Sequence, residues 1–255
     1  MRSYLIILLL LFSTVSLHGQ TAREISDKAA DVMELSSMEM VSTLKIYDQK
    51  GRVRVREIAT ATRKFGDVSK TMIKFLSPAD VKGTAMLVYD YENEADDMWI
   101  YLPALRKTRR IVSQERGKSF MGSEFTNADM SKPDMDDFTY KKLSKETYEG
   151  KLCWKIESLC KNEDIADEHG FSKRISWIEE NTLLVYRIEF YDSYGELHKV
   201  QYIKDYKKQA NGKHFAFYME KENVQNGRKS VMTVNKFQSS SAMKEGAFAP
   251  AMLNK

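Results

Sequence analysis

From Met38 to Gln238 apolar and polar residues alternate with a period of two, in runs broken by short polar turns. MEMVSTLKIYD, a turn at QKG and RVRVREIATATRK, where bases and apolar residues alternate from Arg52 to Arg56, predict a hairpin with one wet face. After a turn at Phe65 to Asp67 the period continues through SKTMIKFLS, GTAMLVYDY, DMWIYL and KTRRIV, then through FTYKKLSKETY, LCWKIESLC and FSKRISWIEE. LLVYRIEFYD, ELHKVQYIKDYK, KHFAFYMEKENV and KSVMTVNKFQ complete the series, and Asn211-Gly212 and Asn226-Gly227 are strong hairpin signals between the last of them. Roughly eleven to thirteen strands joined by short turns predict one meandering antiparallel sheet. A sheet this long twists and curls, so its concave side must be filled by its own side chains, by helices or by a ligand.

Two segments depart from the period of two. Thr21-Ala-Arg-Glu24 has the spacing of a capping box, and Ile25, Ala29, Val32 and Met33 recur at helical spacing, which predicts a helix over 22–35 as part of the filling. Ser113 to Phe138 has no clean period, holds Gly117 and Gly122, and is expected to display Phe120, Met121 and Phe125 in a polar setting. Loops this long are usually functional or disordered. A short helix is expected to start near Thr126 or Asn127.

The first residues, MRSYLIILLLLFSTVSLHGQ, carry one base ahead of an apolar run from Tyr4 to Phe12, too short for the ~20 residues that cross a bilayer. A secretory signal over residues 1–19, cleaved near Gly19, is the expectation, with residues 20–255 forming a single exported domain and no stable membrane anchor. Loss of Arg2 leaves a net charge of about +3, too small an excess to indicate nucleic acid as a partner. Cys153 and Cys160, seven apart in one predicted strand, point to opposite faces and are read as unpaired.

Catalytic and metal-binding patterns are weak. His169, His198 and His214 lie far apart, and the acid clusters at Asp134 to Asp137 and Asp164 to Glu168 lack the glycine and closing glutamate of a calcium loop, so solvated turns are expected there. Gly122-Ser123 lacks the second glycine of a nucleophile elbow, and no phosphate-cradling glycine loop occurs. The expectation is a protein without catalytic residues, metal or cofactor. Fourteen methionines, by contrast, offer an adaptable apolar surface. In Met98 to Leu102, Trp99 and Tyr101 share one face and Met98, Ile100 and Leu102 the other, so both faces are expected to be covered; the bases from Arg106 to Arg110 follow at a sheet rim. Such a juxtaposition suits an amphiphile, with hydrocarbon on the sheet and an anionic or carbonyl headgroup at the bases; the plainer alternative is a solvated hairpin end pairing with Glu115 and Glu124.

W-I-Y-L-P-A-L-R-K-T-R-R-I, the loop S-F-M-G-S-E-F-T-N-A-D-M, S-P-A-D-V-K-G-T-A-M-L and Y-E-G-K-L-C-W-K-I-E resemble segments of the outer-membrane lipoprotein-sorting proteins, the group similar to the periplasmic carrier LolA and its receptor LolB. The resemblance implies a mainly β fold with some α, an unclosed β-barrel with helices plugging its concave side. It also implies a periplasmic setting, a lipid, lipoprotein or other hydrophobic ligand, and an export pump or similar membrane transporter as partner. The residues expected to form the cavity or its rim are Met86, Trp99, Tyr101, Leu102, Leu105, Arg109, Arg110, Phe120, Met121 and Phe125. An envelope sensor or protein-interaction module on the same fold is the alternative reading; a lipid or glycan hydrolase is a second alternative that no motif in the sequence supports.

Overall fold

A computed structural model describes residues 20–92 and 94–255, so the expected signal at residues 1–19 lies outside the described residues. The strands are β1 (Ser37–Tyr47), β2 (Val53–Phe65), β3 (Val68–Ser77), β4 (Ala85–Tyr91), β5 (Asp97–Leu102), β6 (Lys107–Ile111), β7 (Phe138–Tyr148), β8 (Lys151–Cys160), β9 (Lys173–Glu179), β10 (Val185–Tyr191), β11 (Leu197–Lys208), β12 (His214–Asn223) and β13 (Arg228–Gln238). All thirteen form one antiparallel sheet in the order β6-β5-β4-β3-β2-β1-β13-β12-β11-β10-β9-β8-β7. Every neighbouring pair but one is consecutive in sequence; β1 against β13 joins the two meanders. Among the described residues the sheet does not close, and β6 and β7 each keep an unpaired edge. Tight turns make the meander possible: between β7 and β8, Glu149 and Gly150 both adopt positive φ, the twist that suits a two-residue hairpin turn.

The concave face is covered by two pieces of the chain. The first is α1 (Ala22–Asp31), whose Thr21 and Glu24 form the expected capping box. It ends about a turn earlier than the sequence predicts, because Met33 and Glu34 bond three residues back before β1 begins. Ile25 and Ala29 of this helix pack on Ile156, Ile178, Val185, Ile203 and Ala216 from β8 to β12. The second piece is the segment from Ser113 to Asp137, here called the plug, which contains α2 (Ser113–Arg116) and three short 3-10 turns. Its Phe120 and Phe125 are buried among Leu44, Ile58, Phe75, Met86 and Met98 from β1 to β5. The expectation of exposed aromatics in this loop is therefore corrected: a curled sheet must fill its own hollow, and these rings pack into it over β1 to β5.

Two further expectations change. The acid cluster at Asp164 to Glu168 is not a turn but part of α3 (Glu163–His169), started by Asn162, whose side chain accepts from the Ile165 amide, and ended by Gly170 with φ 77°. The helix expected near Thr126 is a single 3-10 turn, Ala128–Met130, in which Thr126 and Asp129 exchange side-chain-to-amide bonds. α2 and α3 touch through glycines: a Cβ on Gly117 would lie 2.2 Å from the Asp167 carbonyl oxygen.

On the convex face the last residues cross back over β2 to β5. Phe248 and Leu253 are buried there with Ala61, Ala85 and Leu87, and Trp99 and Tyr101 lie beneath them. The two thiols are free and on opposite faces: Cys153 packs with Ile175 and Trp177, Cys160 with Phe138 and Phe171. Burial raises the Cys160 thiol to about 12, which keeps it protonated.

Candidate functional site

The sheet separates the ten expected site residues into three groups. Met86, Phe120 and Phe125 are buried together on the concave side, with Leu102 and Met121 packed partly buried against them. Trp99 and Tyr101, odd positions of β5, face the convex side, where Trp99 meets Tyr89 edge to face at 5.0 Å. Leu105, in the turn between β5 and β6, is 66% exposed. Arg109 and Arg110 are exposed at the sheet edge, paired with Glu115 at 2.6 Å and with Asp97 respectively. One acid expected to pair with these bases does so; Glu124 turns inward instead.

The concave group is rich in sulfur. Met86, Met98 and Met232 are buried in it, and Met121, Met130 and Met219 pack on its margin. Methionine has three rotatable bonds and a polarizable sulfur, so a wall built from it refits to a changed neighbour at low energy. The plug that covers this wall is short of regular structure but holds itself: the Phe120 amide bonds the Phe125 carbonyl at 2.8 Å, and the Asn127 amide the Lys118 carbonyl at 2.9 Å. Two open clefts, of about 360 and 660 Å³, lie outside this core. The plug itself occupies the concave face over Met86 and Met98.

Ion pairs that sequence spacing could not show hold the plug down. Asp129 in the plug meets Lys221 of β12 at 2.7 Å, and the Lys221 side chain is only 3% exposed. Burial pulls the Lys221 ammonium below its ordinary value despite the opposing pull of Asp129. Burial works to raise Asp129, but the charge and hydrogen bond of Lys221 prevail and keep it below the usual carboxylate range. Glu124, with a side chain 6% exposed, lies 3.2 Å from Arg228 and 3.5 Å from Lys199, and it accepts from Asn223 at 3.3 Å. Its amide donates to the Ser230 hydroxyl at 2.9 Å.

At the other end of the plug Arg23 of α1 bonds Asp136 at 2.8 Å and the Met135 carbonyl at 3.0 Å, which ties the two fillings together. Arg116 spans from α2 to Asp96 at 2.8 Å and to Glu168 of α3. The one signal for these contacts lay in phase: Lys221 and Asn223 continue the alternation of Met219, and so had to face the same side as that methionine.

Likeness to other proteins follows the architecture. A family model described as "Uncharacterized protein" matches residues 67–255. No curated protein matches by sequence. Among solved structures, an outer membrane lipoprotein-sorting protein domain from Vibrio parahaemolyticus superposes with a TM-score of 0.84 at 25% identity, covering 92% of this chain and 98% of that one. A DUF1329 family protein from Desulfovibrio piger gives 0.83 at 26% identity, over 91% and 97%. A LolA superfamily protein from Nitrosomonas europaea gives 0.70 at 16% identity, over 91% and 98%, a likeness of fold. The chain belongs to the family whose model matches most of its length, and it shares its unclosed sheet with lipoprotein-sorting and LolA superfamily proteins.

Proposed function

We propose that this protein is a carrier of the periplasm that takes an acyl-bearing or otherwise apolar ligand onto the concave face of its sheet, where the plug now lies, and releases it to another envelope component. The observation that carries this reading is the set of four sheet methionines, Met86, Met98, Met219 and Met232, beneath Phe120 and Phe125, a wall able to accept either its own plug or a flexible chain. Each methylene removed from water contributes about 0.8 kcal/mol, so ten of them offer roughly 8 kcal/mol against the loss of the plug's own contacts. Only the difference between the two sets of contacts sets the affinity, which leaves room for release. The function is binding rather than catalysis; Met86 and Leu102 of the sheet are proposed contacts, and Phe120, Met121 and Phe125 are the plug side chains that the ligand displaces. Trp99, Tyr101, Leu105, Arg109 and Arg110 are left to the outer face and edge. The relationship to a lipoprotein-sorting domain supports the periplasmic setting, with a membrane transporter as a candidate receiver.

Hydrogen exchange with and without a nonionic long-chain alcohol tests the proposal. Amides of residues 118–130 are expected to lose protection when the alcohol binds, while those of β8 to β12 keep theirs. Saturating alcohol with unchanged protection of the plug would sink the exchange mechanism.

A further inference from the structure

The hairpin of β1 and β2 is built against its own hydrophobic pattern. Arg54 pairs across the ladder with Ile46 and Arg56 with Leu44, and both partners are buried in the concave core, so the arginines face the concave side. Val53 and Val55, 47% and 48% exposed, face out. Arg228 of β13, in phase with Ser230 and Met232, joins the arginines on the concave side. These residues edge the larger open cleft, lined by Asp48, Gln49, Lys50, Arg52, Arg54 and Arg228.

Two of its cations are neutralised: Arg52 by Asp48 at 2.6 Å and Arg228 by Glu124 at 3.2 Å. Lys50 and Arg54 make no ion pair among the described residues. Arg56, 6% exposed, donates only to the Met121 carbonyl, and burial together with the nearby charge of Arg54 lowers its guanidinium from the ordinary value. Counting the adjoining Arg56, with the charge of Asp80 near it, five cations meet three carboxylates around this concavity.

The same cleft touches the plug. Arg56 donates to the Met121 carbonyl and Arg228 to the Gly122 carbonyl, the latter at 2.9 Å, while Arg54 Nη2 lies 3.8 Å from where a Cβ on Gly122 would sit. Met121 and Gly122 both hold positive φ, at 51° and 78°, so the plug is clasped at a left-handed turn by side chains of the cleft.

We infer that this cleft binds a phosphate group through Arg54, Lys50 and Arg228, and that occupancy draws arginine away from the Met121–Gly122 turn and loosens the plug. Guanidinium groups match phosphate oxygens two at a time, and a local excess of positive charge larger than one favours a phosphate over a single carboxylate. The phosphate can belong to a lipid headgroup or be free in solution. The inference does not need the carrier reading; where both hold, the anion and the apolar chain of one amphiphile act on the same plug from two sides.

Calorimetric titration of the whole protein at low and moderate salt tests the site, with inorganic phosphate, dihexanoyl phosphatidylglycerol and, as a phosphate-free control, dihexanoylglycerol. At least one phosphate-bearing probe is expected to bind tenfold or more tightly than the control, and Arg54→Gln to weaken it about tenfold. Arg54 is exposed, so the melting temperature of that variant is expected to stay at the parent value. Arg110→Gln, at the sheet edge, is expected to bind as the parent does. Binding of free phosphate alone identifies a soluble anion; binding of the lipid alone identifies a headgroup. Binding of neither, or equal affinity in parent and Arg54→Gln, overturns the inference. Uptake of a nonionic long-chain alcohol, followed in parallel, separates the two proposals: phosphate bound without alcohol leaves this site standing and removes the carrier.

Discussion

Phe120 is the residue on which the plug turns. Its ring is 1% exposed and lies 5.7 Å from that of Phe75, so Phe120→Ala leaves a cavity where sheet and plug meet. Truncations of this kind usually destabilise by about 3–5 kcal/mol, and urea unfolding should show a loss in that range, with the plug the first segment to exchange. Asp90 offers a pH handle on the same region. It accepts from the Lys132 amide at 3.1 Å, and burial, with Asp96 adding repulsion, raises it to about 6. An unfolded aspartate titrates near ~3.9, so the native chain keeps a proton that the unfolded chain gives up between those values. Stability therefore falls as pH rises through that window, with the full loss present above about 6. Asp90→Asn should be more stable than the parent by roughly 1 kcal/mol at neutral pH and equal to it below about pH 3.5, as read from urea midpoints at the two pH values.

At the scale of elements, what could be read from sequence and what could not divide along physical lines. Strands and turns are set by local alternation and by residues such as Asn-Gly, and those segments appear in the sheet in order. The capping box at Thr21 is equally local. The face that a strand presents is not local. Arg54 and Arg56 face inward although valines alternate with them, because β2 takes its phase from Leu44 and Ile46 of β1 across the ladder. The burial of Phe120 and Phe125 also depends on a hollow made by strands far away in sequence. α3 has no legible signal because its seven residues, EDIADEH, are mostly acidic and carry only Ile165 and Ala166 as apolar residues, too few for a stripe; it packs closely on the backbone of α2. Gly117→Ala tests that contact. A methyl group at 2.2 Å from the Asp167 carbonyl forces α2 and α3 apart, and a melting temperature several degrees lower, with faster exchange in residues 113–118 and 163–170, is the expected result.

For the molecule as a whole, the sheet has two greasy sides and the chain covers both with its own ends and its plug. This is why the candidate site was only partly legible: Trp99 and Met86 are equally apolar in sequence, but only the fold shows that they lie on opposite sides of the sheet. Phe248→Ala examines the outer cover. Phe248 is fully buried against Phe65 at 5.6 Å, and its carbonyl accepts from the Tyr89 hydroxyl at 2.6 Å. The variant should lose about 3–5 kcal/mol of stability, and acrylamide should quench its tryptophan emission more strongly as Trp99 gains solvent.

The two unpaired strands have a consequence for how copies of the protein meet. β6 offers Lys107, Arg109 and Arg110 along five residues, and β7 offers Lys141, Lys142 and Lys145 beside a bulge at Leu143. A neighbour seeking to extend the ladder from either side meets like charge and a broken hydrogen-bond row, so head-on stacking into filaments is discouraged without any cap over the rims. Concentrated salt, which screens lysine and arginine but leaves backbone donors and acceptors intact, is the condition under which that protection weakens first.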